Sequence, residues 1–239
     1  MKENESATVE PEVRIENGEK IEIMMANENH YGYVDTILDT VKKAAKARGT
    51  GIASRTHDYI LEKMKEKKGI IAFVDGVFAG FCYIETWSGK KFVANSGLIV
   101  APEFRGRGLA KHIKRKAFEL SRKRYPEAKL FGITTGLAVM KINSEIGYRP
   151  VTFSELTDDP EYWKECEHCV NFDVLSRNNY TRCLCTGMLY DPSEHKDNPE
   201  PWKKWAKGEK SEKGHWMKTF KKIISLPFAV KTHKGGTKN

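Results

Sequence analysis

One stretch decides the fold of this 239-residue chain, and it reads Leu98-Ile99-Val100-Ala101-Pro102-Glu103-Phe104-Arg105-Gly106-Arg107-Gly108-Leu109-Ala110. An apolar run ends at a proline, a basic turn with two glycines follows, and a helical pattern then begins. Glycines allow a tight turn and leave backbone N–H groups uncovered, and the helix adds its unpaired N-terminal donors. The stretch therefore predicts a phosphate-binding turn between a strand and a helix.

Two common nucleotide-binding motifs do not fit this turn. A P-loop needs four residues between its first glycine and Gly-Lys-Ser/Thr, and the dinucleotide fingerprint needs a third glycine or alanine where this chain has Lys111. The remaining pattern is Arg-x-x-Gly-x-Ala, formed by Arg105, Gly108 and Ala110 after a strand that ends near Pro102. It resembles motif A of the GCN5-related N-acetyltransferase (GNAT) superfamily, which holds the pyrophosphate of coenzyme A. A glycine turn with a purely steric role is the alternative.

Composition indicates a globular protein with a basic tail. The chain is 39% hydrophobic and carries a net charge of +9. Residues 191–239 hold twelve lysines against six acids, so most of the excess charge lies there. No apolar run approaches membrane-spanning length and the N-terminus has no signal-peptide core, so we expect a cytoplasmic protein without a membrane span. A solvated lysine-rich extension is favoured over nucleic-acid binding.

Periodicity predicts the element order β-α-α-β-β-β-α-β-α-β, which is the order that the GNAT family uses. The predicted elements are 20–26, 33–47, 57–67, 70–74, 77–86, 92–100, 109–124, 129–135, 138–146 and 183–190. The resemblance implies an α/β fold with a mixed, largely antiparallel sheet and helices on both faces. We predict a polar lead-in at 1–19, a GNAT-like domain at 20–190 with a cysteine-bearing insertion at 158–185, and a basic extension at 191–239.

The resemblance implies acetyl-CoA, or another acyl-CoA, as co-substrate. In the family, the strand before the glycine turn pairs its backbone with the pantetheine arm. The residues carried over to that strand are Leu98, Ile99 and Val100. Backbone and side chains of the turn would bind the pyrophosphate, and they belong to Arg105, Gly106, Arg107, Gly108, Leu109 and Ala110.

Acyl transfer needs a deprotonated amine, a donor to the oxyanion and a proton for the departing thiolate. Many family members supply that proton from a tyrosine four residues before a Gly-aromatic pair. Anchoring on Gly147-Tyr148 places Asn143 at that position. Its amide cannot deliver a proton at neutral pH but could donate a hydrogen bond to the sulfur, and a polar residue on a helix flank is the alternative. Glu85, near the end of its strand, is the candidate base, although a solvated surface glutamate is the ordinary alternative.

The acceptor is expected to bind near the loop between the first two helices. This loop holds Arg48 and Arg55 among glycines and hydroxyls, and Arg149 follows the Gly-aromatic pair. Arginine forks suit carboxylates, so the residues favour a small amine that carries a carboxylate, such as an amino acid. The chain also resembles, more loosely, the stand-alone N-acetyltransferases associated with glutamate acylation in arginine biosynthesis. A basic surface loop is the alternative.

Four of the five cysteines fall in one region, as Cys166-x-x-Cys169 and Cys183-x-Cys185. A Cys-x-Cys pair on a strand points both sulfurs to one face, so the four thiols could hold zinc and staple the insertion to the sheet. Reduced core thiols are the competing interpretation, and a cytoplasmic setting disfavours disulfides.

The aromatic and lysine residues of 216–224 follow a helical spacing. Such a helix packs on its own domain, docks on a second copy of the chain in a homodimer, or lies on an anionic membrane surface. Two other functions stay open for the whole chain. It could bind acyl-CoA as a sensor without turnover, or act as a zinc-bearing module that recruits protein or nucleic acid.

Overall fold

The computed structural model describes residues 4–48 and 53–206. Part of the predicted acceptor loop (49–52), the side chain of Arg48 and the amphipathic stretch 216–224 lie outside the described residues. Within the described ranges, no helix has the length and the apolar character that crossing a membrane requires.

Eight strands form one sheet in the order β1-β2-β3-β4-β5-β6-β8-β7. The strands are β1 (Glu12–Glu16), β2 (Glu19–Met25), β3 (Gly69–Val74), β4 (Val77–Trp87), β5 (Phe92–Val100), β6 (Lys129–Thr134), β7 (Arg149–Val151) and β8 (Thr186–Tyr190). The β5–β6 pair is parallel, and the other neighbouring pairs are antiparallel. The predicted mixed, largely antiparallel sheet is therefore confirmed.

Helices cover both faces of this sheet. They are α1 (Val34–Arg48), α2 (His57–Lys65), α3 (Leu109–Arg124), α4 (Leu137–Ile146), α5 (Pro160–Lys164), α6 (Phe172–Arg177) and α7 (Pro201–Ala206). Short 3-10 helices occupy Glu28–Tyr33, Pro102–Phe104, Phe153–Glu155, Glu165–His168 and Pro192–His195.

Alternation along the central strands builds the two main cores. On β3, Ile70 packs in the core that contains α3 and α4, whereas Ile71 packs in the core that contains α1 and α2. All of β3 is buried because both faces of the sheet are covered. A third core joins the insertion to β6 and β8 through Phe131, Leu189 and Trp163.

Local sequence signals placed several elements correctly. The helix predicted at 109–124 is α3, with the same ends. Asp75 and Gly76 have φ values of 48° and 76° and join β3 to β4, as expected of an Asp-Gly hairpin turn. Gly147 ends α4 in the left-handed region at φ 117°.

The predicted lead-in at 1–19 contains a strand that the sequence analysis missed. β1 pairs with β2 along its whole length, and Val9 beside it is buried. Val13 and Ile15 stay exposed, so the strand depends on backbone pairing rather than on an apolar face. The turn Asn17-Gly18, with φ values of 52° and 83°, is the hairpin signal that could have found it.

β5 and β6 part in the middle of the sheet, and this creates the main cleft. They pair at three positions, Phe92 with Lys129, Val93 with Leu130 and Ala94 with Phe131. Both strands continue beyond this point, β5 toward the glycine turn and β6 alongside β8. The facing edges of the two strands are therefore open to a ligand past Ala94.

Candidate functional site

The glycine turn forms an open cradle at the start of α3. Gly106 and Gly108 have φ values of 80° and 77°, and a Cβ atom at either would meet nothing within 4 Å. Glycine is thus required by the backbone conformation, not by crowding. No side chain caps α3, whose first turn holds no acidic residue. The N-terminal N–H groups of this helix are therefore available to an anion.

The two arginines of the turn lie at its exposed rim. Arg105 donates from Nε to the carbonyl oxygen of Val100 at 3.0 Å. Arg107 forms an ion pair with Glu19 on β2 and lies over the ring of Phe104. The turn thus joins fixed backbone donors to two cationic side chains.

The cleft starts from the parted edges of β5 and β6. Two of the three residues predicted to bind pantetheine, Leu98 and Ile99, line it, whereas Val100 packs in the α3 core. Ser96, Gly132 and Thr134 complete the facing strand edges. Because β5 leads from the cleft into the turn, the two together are a candidate site for an extended ligand with a phosphate end.

Asn143 on α4 lines the cleft and is 2% exposed. Its side-chain oxygen is buried and has no hydrogen-bond partner in the described part of the chain. A buried acceptor left unpaired is costly, so a donor supplied by a ligand would be favourable.

Lys114 on α3 also lines the cleft and is also 2% exposed. Its Nζ donates to the carbonyl oxygen of Asn95 at 3.3 Å and lies over the ring of Tyr148. The Tyr148 hydroxyl donates to Asn95 Oδ1 at 3.0 Å, which fixes the floor beneath the lysine. Burial lowers the pKa of Lys114 to about 8.

The opposite wall of the cleft centres on Arg55, just before α2. Its Nε donates to the Tyr83 hydroxyl at 3.0 Å, and its Nη2 pairs with Glu165 at 3.0 Å. Burial opposes the charge of Arg55, but Tyr83 and Glu165 outweigh it, and the pKa of Arg55 lies above its ordinary value. Three of its five N–H donors have partners within the described residues, the third being the Ser54 carbonyl. The remaining capacity of the fork suits a carboxylate.

Two predicted site residues lie elsewhere. Glu85 does not line the cleft, because Lys63 and Lys68 from the α2 end of the fold hold its carboxylate in ion pairs. Arg149 lies on the edge strand β7, where Glu155 and Glu194 bind it at 2.9 Å and 3.2 Å. The structure therefore brings neither residue to the cleft.

The four clustered cysteines line the cleft, and all five cysteines of the chain are free thiols. Cys183 and Cys185 precede β8 instead of lying on it, so the strand geometry that would aim both sulfurs one way is absent. Across 4–48 and 53–206, no three His, Cys, Asp or Glu side chains are arranged to hold a metal ion. The zinc prediction is therefore not supported, and these thiols are part of the cleft wall.

Sequence reasoning missed two charged residues of the cleft. Lys114 falls among apolar residues of the buried face of α3, and a charge at such a position was a signal that could have found it. Glu165 belongs to the insertion, and only the packing of that segment over β6 and β8 brings it beside Arg55.

Residues 67–136 match the model of the Acetyltransferase (GNAT) family. That range runs from β3 to β6 and includes the glycine turn. No curated protein matches the chain.

Solved structures share the fold at low sequence identity. N-acetylglutamate synthase from Neisseria gonorrhoeae, with coenzyme A and N-acetyl-glutamate, is 14% identical with a TM-score of 0.52, covering 72% of this chain and 35% of its own. A Mycobacterium tuberculosis protein with CoA is 14% identical with a TM-score of 0.53, and the match covers 71% of this chain and 98% of that protein. The yncA protein of Salmonella typhimurium, with acetyl-CoA, is 14% identical with a TM-score of 0.50, and the match covers 72% of this chain and 94% of that protein. This chain thus spans about a third of the synthase it matches.

Residues 67–136 are thus similar to the acetyltransferase domain of the GNAT family, and the described part of the chain shares the fold of the solved CoA-bound proteins named above.

Proposed function

We propose that the chain transfers an acetyl group from acetyl-CoA to the amine of a small acceptor that carries a carboxylate, such as an amino acid. The parted edges of β5 and β6, which lead to the uncapped start of α3, are the observation that carries the proposal. An extended amide-bearing arm can pair with an open strand edge, and a pyrophosphate can bind at the helix N-terminus.

The Arg55–Glu165 pair supports the choice of acceptor. An amino acid presents a carboxylate and an ammonium group, and the two side chains of this pair match those charges. Glu165 is then placed to take the proton that the ammonium must lose before it attacks the thioester. The N. gonorrhoeae synthase, which shares the fold, was solved with N-acetyl-glutamate, an acylated amino acid. This likeness supports an amino acid as the class of acceptor.

The reaction begins when the neutral amine attacks the thioester carbonyl. A tetrahedral oxyanion forms, and backbone N–H groups at the open edge of β5 are placed to donate to it. The intermediate collapses to the amide and the coenzyme A thiolate, which requires a proton or a cation.

Replacing Arg55 with glutamine tests the acceptor assignment. Release of free thiol is measured with acetyl-CoA and a panel of amino acids, each beside the amine that lacks its carboxylate. We expect Arg55→Gln to raise the KM for the amino acids roughly 10- to 100-fold, since one charged hydrogen bond contributes about 1.5–3 kcal/mol. The KM for acetyl-CoA should stay within about twofold of its original value.

Arg177→Gln is the matched control, because Arg177 is an exposed arginine of α6 that pairs with Asp173. An equal loss in both variants, or an equal loss with amines that have no carboxylate, contradicts the acceptor class. Absence of thiol release from the unaltered chain with every amine contradicts turnover itself and leaves a protein that binds acyl-CoA without reacting.

A further inference from the structure

Lys114 is a buried cation that has no acidic partner among residues 4–48 and 53–206. Lysine is almost never fully buried unless it is paired. Of the groups facing Lys114, Cys82 on β4 is the titratable one that affects its charge, and burial raises the pKa of that thiol to about 11. Tyr148 packs beneath it, and burial also raises the pKa of its phenol. Both partners are therefore neutral near pH 7, and the described part of the chain supplies no anion to offset the burial of the ammonium.

The place of Lys114 in the cleft indicates which anion it serves. It hydrogen-bonds to the Asn95 carbonyl, the first residue of β5 beyond the last pair with β6. If phosphates bind at 105–110 and the arm follows β5 inward, the reacting sulfur reaches the inner end of the open edge, where Asn95 and Ser96 lie. Asn143, at the position where the family has its acid, also lines the cleft, and its carbonyl accepts from the N–H of Tyr148, over whose ring Lys114 lies.

We propose that Lys114 is the proton donor to the sulfur of the departing coenzyme A, in place of the tyrosine that this chain lacks. The inference rests on the proposed acyl transfer. It makes Lys114 a catalytic residue, because its Nζ contacts a reacting atom.

The step balances in protons and electrons. The acceptor nitrogen forms a bond to the carbonyl carbon, the C–S bond breaks, and its electron pair goes to sulfur. Sulfur takes a proton from the Lys114 ammonium, which becomes a neutral amine, while the proton lost by the acceptor goes to Glu165 or to water. The unpaired Oδ1 of Asn143 is an acceptor for the resulting S–H group. Water returns a proton to Lys114 after product release.

A donor with a pKa of about 8 is well matched to a thiol, whose ordinary pKa is about 8.5. The lysine acts only while protonated, so its contribution is lost as pH rises through its pKa. This gives a falling limb in the profile of kcat against pH.

The first test compares Lys114→Met with the unaltered chain across pH 6–9. Methionine fills the same space without a charge, and thermal unfolding confirms that the variant folds. We expect kcat to fall roughly 10²- to 10⁴-fold and the falling limb to disappear, with the KM for acetyl-CoA little changed. Lys116→Met is the control on the same helix, because Lys116 lies on the outer side and pairs with Glu119.

The second test needs no turnover and therefore separates this inference from the proposed function. Calorimetry measures the affinity of coenzyme A and of desulfo-coenzyme A, which lacks the sulfur, at about pH 8, where the Lys114 ammonium and the thiolate are both present. The unaltered chain and Lys116→Met should bind coenzyme A at least fivefold tighter than the desulfo compound, because the ammonium stabilises the thiolate. Lys114→Met should lose that preference while keeping its affinity for desulfo-coenzyme A.

Three results overturn the inference. The first is a falling limb that persists in Lys114→Met at unchanged kcat. The second is an equal preference for the sulfur in all three proteins. The third is a loss of turnover confined to succinyl-CoA, since that would make Lys114 the partner of a carboxylate on the acyl group. If no protein binds coenzyme A at all, the proposed function fails instead.

Discussion

Gly97, a single residue of β5, has the strictest steric requirement of the cleft. Its φ is 65°, and a Cβ atom there would lie 2.5 Å from a ring carbon of Tyr83. Tyr83 in turn accepts the hydrogen bond from Arg55. The absence of a side chain at this position therefore keeps the acceptor wall in place.

Gly97→Ala should destabilise the chain more than Gly89→Ala does. Gly89 also has a positive φ, 61°, but a Cβ atom there would meet nothing within 4 Å. We expect a cost of about 1–2 kcal/mol from the left-handed backbone in both variants, and about 1–3 kcal/mol more at Gly97 from overpacking. Equal unfolding free energies in denaturant titrations would show that Tyr83 moves aside freely.

The limits of sequence reasoning are clearest for single residues. Glu85 looked like a base because it ends a strand near the cleft, but two lysines from other segments bind it. Arg55 was found because guanidinium chemistry belongs to the residue itself. Its partner Glu165 was missed because their proximity depends on how a segment 110 residues further along the chain packs, which no local pattern encodes.

The element on which most of the proposed site chemistry depends is α3 with the turn before it. The start, the end and the apolar face of α3 could all be predicted from the sequence. The signals for them are the glycines before the helix, the helical spacing of apolar residues and the proline after it, which are all local features of the chain. β1 and the short helices of the insertion were not, because edge pairing and packing over β8 stabilise them. The position at which β8 begins in that region determines whether Cys183 and Cys185 lie on a strand, and they do not.

Gly108→Val should weaken acetyl-CoA binding at the glycine turn. A branched side chain at φ 77° distorts the turn and covers the N–H groups that face the phosphates. We expect the Kd to rise at least tenfold, or about 1.4 kcal/mol.

Gly76→Val is the control for backbone strain alone. Gly76 has φ 76° and equally open surroundings, but it lies in the β3–β4 hairpin turn. If calorimetry finds the same Kd for both variants, the phosphates do not bind at the glycine turn.

At the scale of the whole molecule, the eight strands form one sheet with a gap between β5 and β6. β5 keeps its pairing with β4 beyond the point where β6 leaves it. The fold class was predictable because the order of elements and their periodicity suffice for it. The family resemblance implied a strand whose backbone pairs with the pantetheine arm, but nothing in the composition of β5 or β6 encodes where their own pairing stops.

Binding of coenzyme A should raise the thermal stability of the whole chain. A ligand present at 100 times its Kd adds about 2.7 kcal/mol to the free energy of unfolding. For a chain of this size, that corresponds to a Tm increase of roughly 5–10 °C. Differential scanning calorimetry with coenzyme A, and with adenosine as the control lacking pyrophosphate and arm, measures it; equal shifts for both ligands would contradict an extended binding mode.

The three-pair junction between β5 and β6 has a mechanical consequence. It divides the sheet into a half made of β1–β5 and a half made of β6–β8, with α3 and α4 crossing one face. Each half carries one wall of the cleft, so a small rotation about Ala94 and Phe131 changes the width of the cleft along its whole length. A ligand that contacts both strand edges holds them at a fixed separation. This separation sets the angle between the two halves of the sheet, and with it the relative position of the acceptor residues that they carry.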